Sequence, residues 1–143
     1  MSHEQVIRSF YNAINTHNLD KFTSFFSTDG QFTDMSSGRV FRGAKEIHLM
    51  AEEWLKTFSD MKLEVTSIIE SGDNCCVELS LVGTHTGALR GAQGSIPASG
   101  KKVNVPSCDL IRMKNGKIKS LNCYIEATVM LDQIGAMEAQ KAA

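Results

Sequence analysis

Four side chains of this sequence are the candidates to move a proton or polarise a carbonyl: Asp34, His85, Asp109 and Glu126. They lie in four separate segments, so joint chemistry requires a fold that gathers them. Asp109 is the leading candidate. It sits in the alternating stretch VNVPSCDLIRMKNG, sharing a strand face with Val105, Ser107 and Ile111. A carboxyl titrates at ~3.9 in water, but on an apolar concave face desolvation raises that by several units, into the range of a proton carrier near neutral pH. The alternative is a buried aspartate tied to Asn122 or Ser107 that only organises its strands. His85 ends an alternating run beside a glycine-rich stretch. At an ordinary pKa of ~6.5 it suits proton transfer, or else it is a hydrogen-bonding residue of a pocket rim. Asp34 precedes Met35-Ser36-Ser37-Gly38, where an aspartate can equally cap a turn. Glu126 either closes a pocket mouth or favours the start of a last helix, since carboxylates are stabilised near helix N-termini.

The ribbon from Lys101 to Glu126 must position these groups. Asn115-Gly116 lies between its two alternating runs and predicts a type I′ hairpin turn, which needs φ > 0 at both central residues. Projected from a Lys114–Lys117 pair, a regular ladder sets Asp109 opposite Asn122, Cys108 opposite Cys123 and Val105 opposite Glu126. One face then carries Val105, Ser107, Asp109 and Ile111 with Ile118, Ser120, Asn122, Tyr124 and Glu126. The opposite face carries Cys108, Leu110, Leu121, Cys123 and Ile125 and is almost wholly apolar. Such a sheet predicts a lined pocket on one side and a packing surface on the other.

The elements before the ribbon read as helices first and strands after. Val6, Ile7, Phe10, Tyr11 and Ile14 recur at helical spacing over Glu4 to Asn15, with Ser2 and Gln5 as a capping box. A second helix covers Leu19, Phe22, Phe25 and Phe26 and stops at Asp29-Gly30; a short strand follows from Gln31 to Met35, then a turn into Arg39–Arg42. Gly43 to Phe58 makes the third helix, with Trp54 on its apolar stripe. Lys62 to Glu70 and Asn74 to His85 make two longer strands. Thr86 to Gly100, holding Gly87, Gly91, Gly94 and Gly100, reads as a loop long enough to form a lid or pocket rim. From Ala127 a helical stripe continues through Val129, Met130, Gln133, Ile134 and Met137, and the chain ends in weakly ordered Ala and Lys. The expected class is α+β, one domain over residues 1–143.

With 42% hydrophobic residues in 143, a sizeable core is available, and a formal charge of -1 supplies no footprint for nucleic acid or an anionic membrane. No signal segment is seen and no apolar run approaches ~18 residues, so the expectation is a cytoplasmic protein without a membrane span. Cys75, Cys76, Cys108 and Cys123 lack any metal-ligand spacing and are read as small packing residues. GxGxxG, Walker A and GxSxG motifs are absent, so neither a cofactor nor a metal is expected.

Taken in order, NLDKFTSFFSTDGQFTD, SGRVFRGAKEI, EEWLKTFSDMKLEV, GTHTG, IPASGKKVNVPSCDLIRMKNGKI and YIEATVMLDQIG resemble a SnoaL-like domain of the nuclear transport factor 2-like superfamily. That resemblance implies a cone-shaped, curved, mostly antiparallel mixed sheet wrapping three N-terminal helices around a hydrophobic pocket, with homodimers formed through the outer sheet face. It also implies a carboxylate acid/base on the late strands, for which Asp109 and Glu126 are the candidates. Tyr124-Ile125-Glu126 stands where the family commonly has aromatic-x-Asp. A more distant likeness to ketosteroid isomerase places Asp34 at that family's base and Asp109 at its hydrogen-bond-donating aspartate. The tyrosine of its oxyanion hole falls on Phe10, with Tyr11 turned about 100° around the helix.

The functional expectation is a cofactor-independent acid/base enzyme on a small hydrophobic carbonyl compound, a polyketide (aldol) cyclase or related isomerase being the family-implied example. Asp109 would carry the proton, and His85, Asn122 and Glu126 would orient the substrate. Phe10, Trp54 and Tyr124 would line the cavity beside Tyr11. The alternatives are a non-catalytic dimeric module binding a small ligand, and epoxide hydrolysis by a carboxylate pair such as Asp34 and Asp109.

Overall fold

A computed structural model describes residues 2–91 and 94–137. The chain opens with helices α1 (His3–Asn15) and α2 (Leu19–Ser24), strands β1 (Phe26–Asp34) and β2 (Arg39–Arg42), and helix α3 (Gly43–Thr57). Strands β3 (Lys62–Ser71), β4 (Asn74–Thr84), β5 (Leu89–Gly91), β6 (Gly94–Ile96), β7 (Lys102–Lys114) and β8 (Lys117–Ile125) follow, then helix α4 (Ala127–Gln133). The main sheet runs β2-β1-β8-β7-β4-β3, antiparallel except where β1 lies parallel to β8. This is the expected α+β class, a curved mixed sheet with the N-terminal helices against its inner face. No helix among the described residues is long and apolar enough to cross a membrane.

Local signals explain most of these elements. Ser2 caps α1 with the expected box: its hydroxyl accepts from the Gln5 amide at 3.2 Å, and the Gln5 side chain accepts from the Ser2 amide at 3.0 Å. Asn115 and Gly116 carry φ of 53° and 76°, as a type I′ turn demands. The second helix is shorter than its phenylalanines suggest. It ends at Ser24, and β1 begins at Phe26 and runs through Asp29-Gly30, which forms a bulge against β8 rather than a stop. A Cβ on Gly30 would lie 2.9 Å from the Ser27 carbonyl and 3.1 Å from that of Ile118, so the bulge requires glycine. The glycine-rich stretch after His85 is likewise not bare loop, since β5 and β6 pair there as a small second sheet. The helical stripe from Ala127 is present as α4; the last residues, 138–143, lie outside the described ones.

The largest departure is the register of β7 on β8. Lys114 pairs with Lys117 and Met113 with Ile118, but Arg112 then pairs with Ser120, leaving Lys119 as one extra residue. Beyond this bulge Asp109 faces Cys123, Cys108 faces Tyr124 and Ser107 faces Ile125, instead of Asn122, Cys123 and Tyr124. A one-residue insertion reverses which side chains face the core. Leu121, Cys123 and Ile125 therefore join Val105, Ser107, Asp109 and Ile111 on the inner face, and Asn122 and Tyr124 turn to the outer one. All four cysteines are free, and on the outer face the sulfurs of Cys76 and Cys108 lie 3.2 Å apart.

Candidate active site

The inner face of the sheet and the three N-terminal helices enclose an apolar cavity of ≈ 70 Å³. Phe10, Tyr11, Ile14, Met50, Ala51 and Trp54 line it from α1 and α3, with Phe32 and Asp34 from β1. Leu79, Leu81, Ser107, Asp109, Leu121, Cys123 and Ile125 line it from the sheet. Asp109 comes to this wall because β7 alternates without interruption along β4, where it pairs with Val77, itself fully buried.

Asp109 is 5% exposed, and its Oδ2 accepts a hydrogen bond from the Tyr11 hydroxyl at 2.6 Å. Its Oδ1 is buried and has no protein partner among the described residues. Burial pushes the carboxyl up from 3.8 to about 6, against the opposing effect of the hydrogen bond from Tyr11 and of the nearby Cys123 thiol. Burial, followed by the charge of Asp109, holds the Tyr11 phenol well above its ordinary range, so it stays a donor. The same two causes raise the Cys123 thiol. A desolvated carboxyl has therefore one oxygen fixed by a phenol and the other unspent in an oily chamber. That arrangement suits transfer of one proton to and from a bound carbon acid.

Tyr11 and Phe10 both reach the cavity, although they sit about 100° apart on α1. Their rings meet edge-on at 5.0 Å, and Phe10 stacks on Phe22 at 4.6 Å, so Phe10 fills the wall while Tyr11 supplies the hydroxyl. Trp54 lines the cavity as expected. Asp34 also lines it, but Oδ1 accepts from the Ser36 amide at 3.0 Å and the Ser36 hydroxyl at 2.6 Å, while Oδ2 accepts from the Ser37 hydroxyl at 3.0 Å. These bonds are those of a turn cap.

Four of the expected site residues are elsewhere. Asn122 and Tyr124 face outward because of the Lys119 bulge, Tyr124 being 45% exposed. Glu126 is exposed as the N-cap of α4, without a side-chain capping bond. His85 is also absent from the Asp109 cavity, and it is a core residue rather than a rim residue. It is fully buried against Phe58, and its Nδ1 accepts from the Ser99 amide at 3.1 Å and lies 2.9 Å from the Ser99 hydroxyl. This ties the two ends of the β5–β6 segment together, supported by His85 N–H to Lys101 O at 2.8 Å. Ser107 and Cys123, neither singled out as cavity-lining from the sequence, stand beside Asp109; Cys123 was hidden by the bulge.

Amide donation to Nδ1 fixes the His85 proton on Nε2, which has no partner among the described residues. Burial lowers the pKa of His85 from its ordinary value of 6.5. The unfolded chain thus accepts a proton that the native fold resists, so this contribution to stability is complete above pH ~6.5 and is lost as pH falls below it. The expected result is that the urea midpoints of wild type and His85→Gln differ most at pH 7.5 and converge toward pH 5.5. A constant difference would contradict a buried neutral imidazole.

A family model described as SnoaL-like polyketide cyclase matches residues 4–134. No curated protein sequence matches the chain significantly. Among solved structures, a hypothetical protein of ketosteroid isomerase-like fold from Catenulispora acidiphila DSM 44928, in complex with trimethylamine, superposes with a TM-score of 0.80 at 19% identity, covering 94% of this chain and 95% of that one. A candidate SnoaL-like polyketide cyclase from Jannaschia sp. CCS1 gives 0.81 at 17% identity, covering 92% and 90%. TsrD from Streptomyces laurentii gives 0.81 at 18%, covering 96% and 99%. At these identities the likeness concerns the fold.

Proposed function

Since the chain belongs to the SnoaL-like polyketide cyclase family, we propose that it is an acid/base enzyme acting on a hydrophobic carbonyl compound, with Asp109 as the proton carrier. The observation that carries this reading is Asp109 itself: buried, held at one oxygen by Tyr11 and unpartnered at the other, in a cavity otherwise almost wholly apolar. Near neutral pH the carboxyl is mostly ionised, and Oδ1 removes a proton from the carbon next to the substrate carbonyl. The electron pair moves onto the carbonyl oxygen as an enolate. In an aldol closure that carbon attacks a second carbonyl, whose oxygen takes the electron pair and the proton back from Asp109; where the enolate is conjugated with a C=C bond, Asp109 instead returns the proton to the far carbon of the dienolate. The first outcome is cyclisation and the second isomerisation. Ser107 and Cys123 stand beside the carboxyl and can donate to oxygen. Asp34 has both oxygens bonded to its own turn, which favours a single working carboxylate over the pair that epoxide hydrolysis needs.

The test is exchange of α-protons of cyclic and 1,3-dicarbonyl compounds in D₂O, followed by proton NMR. Wild type should show a rate that rises through an acid limb near pH 6, the value expected of Asp109. No exchange above the buffer rate with any such compound would favour the non-catalytic binding module instead. Tyr11→Phe sharpens the test. Removing the donor that lowers the Asp109 pKa should move the limb to higher pH and cut the rate about tenfold, the worth of one charge-assisted hydrogen bond. Carboxyl-carbon NMR of Asp109 should move the same way.

A further inference from the structure

The cavity beside Asp109 is too small for a whole multi-ring substrate: ≈ 70 Å³ is room for roughly five waters. A second chamber of ≈ 650 Å³ adjoins it, and Asp34, Met50 and Trp54 line both. The outer chamber is different in kind. Where the inner wall is apolar apart from Asp109, its neighbours and the shared Asp34, the outer one also carries Arg39, Glu53 and Arg90. Glu53, a third exposed, lies between the two arginines, with Oε2 3.7 Å from Arg39 Nη2 and Oε1 3.8 Å from Arg90 Nε. Both contacts are long, and neither guanidinium donates a hydrogen bond to the protein among the described residues. Both side chains are mostly exposed, Arg39 at 52% and Arg90 at 76%, so up to ten N–H donors of two planar forks face water at one place and are open to exchange for a ligand. Arg39 is also seated over the Phe41 ring at 4.9 Å, which limits the rotamer freedom it would lose on binding.

We propose that the substrate is two-ended: a small flat carbonyl-bearing end enters the inner cavity beside Asp109, and a carboxylate at its far end is held by Arg39 and Arg90 in the outer chamber. This deepens the reading given above and rests on it for the reacting end. The spacing suits a carboxylate because one carboxylate, that of Glu53, already spans the two arginines loosely. Counting Asp34 and Glu53 the chamber is charge-balanced, so selection for the anion comes from the guanidinium forks at contact distance and not from a net field.

The probes are 4-hydroxyphenylalkanoic acids with one to six methylenes, whose phenol resembles an enol, and their methyl esters, titrated by calorimetry. At one preferred chain length the acid should bind about tenfold more tightly than its ester, the order expected for a charge-assisted pair at a partly exposed site. The double variant Arg39→Gln/Arg90→Gln should abolish that preference while leaving ester affinity within twofold. Glu53→Gln, which frees the arginines, should tighten the acids and not the esters. Equal or better binding of esters, an acid preference that survives in the double variant, or no binding of any member would each overturn the proposal. The two readings fail separately. An acid preference without proton exchange leaves the carboxylate site and removes the enzyme, and exchange without an acid preference does the reverse.

Discussion

Asp109→Asn should cut turnover by orders of magnitude and at the same time make the protein more stable at neutral pH. The carboxyl rises from 3.8 to about 6 on folding, so ionising it in the native state near pH 7 costs about 3 kcal/mol. Asparagine has the same shape and can accept the Tyr11 hydroxyl, but its buried amide N–H groups recover only part of that sum. The net expectation is a gain of about 1–2 kcal/mol and a Tm roughly 5 °C higher. Because the folded pKa lies above the unfolded one, the wild type is at its best while Asp109 is protonated, and it loses that advantage as pH rises from about 4 through 6. The gain from Asn should accordingly be largest above pH 7 and vanish below pH 4. Exchange activity should fall about 10²–10⁴-fold, the usual worth of a positioned acid/base. Calorimetric melts and the exchange assay across pH check both halves. A variant that is less stable at pH 7, or that keeps its activity, would make Asp109 a structural residue.

Phe10→Ala should be the most damaging change to stability outside the sheet. Phe10 is 1% exposed, and its ring meets those of Phe22 at 4.6 Å, Tyr11 at 5.0 Å, Phe26 at 5.6 Å and Phe25 at 6.0 Å. Truncation removes the contacts of α1 with α2 and the start of β1 and leaves a void open to the Asp109 cavity. A loss of about 3–5 kcal/mol is expected, a large share of the 5–15 kcal/mol that folded domains possess. Phe10→Leu keeps most of the volume and should lose about 1.5 kcal/mol or less. Urea unfolding measures both. A loss under about 1 kcal/mol for the alanine would mean that the aromatic cluster collapses around the gap.

Where one local rule decided the structure, the sequence announced it. The stripe of α1, its capping box and the Asn115-Gly116 turn each follow from spacing or from a demand for positive φ, and each is present. Asp109 was legible because it lies on β7, whose alternation along β4 is unbroken. A regular ladder from the turn assigns Asn122 and Tyr124 to the wrong face, because no glycine or proline marks the bulge at Lys119. His85 was legible as a titratable group but not as a core residue, since its partner Ser99 meets it only across the β5–β6 segment. Helical angle alone does not rank Tyr11 against Phe10, because both line the cavity. The grouping of Arg39, Glu53 and Arg90 joins three elements and left no spacing to find.

The extra residue at Lys119 acts on β8 as an inserted letter acts on a reading frame. Every side chain from Ser120 to Ile125 is reassigned between wall and exterior at once, with no change in composition. A relative whose strand lacks the insertion must be aligned here with a one-residue gap. Without that gap, Tyr124 and Asn122 fall in columns of cavity residues while Cys123 and Leu121 fall in columns of surface ones. Gain or loss of a single codon could thus exchange an oily wall for a hydrogen-bonding one in a single evolutionary step, with Asp109 left in place on the neighbouring strand.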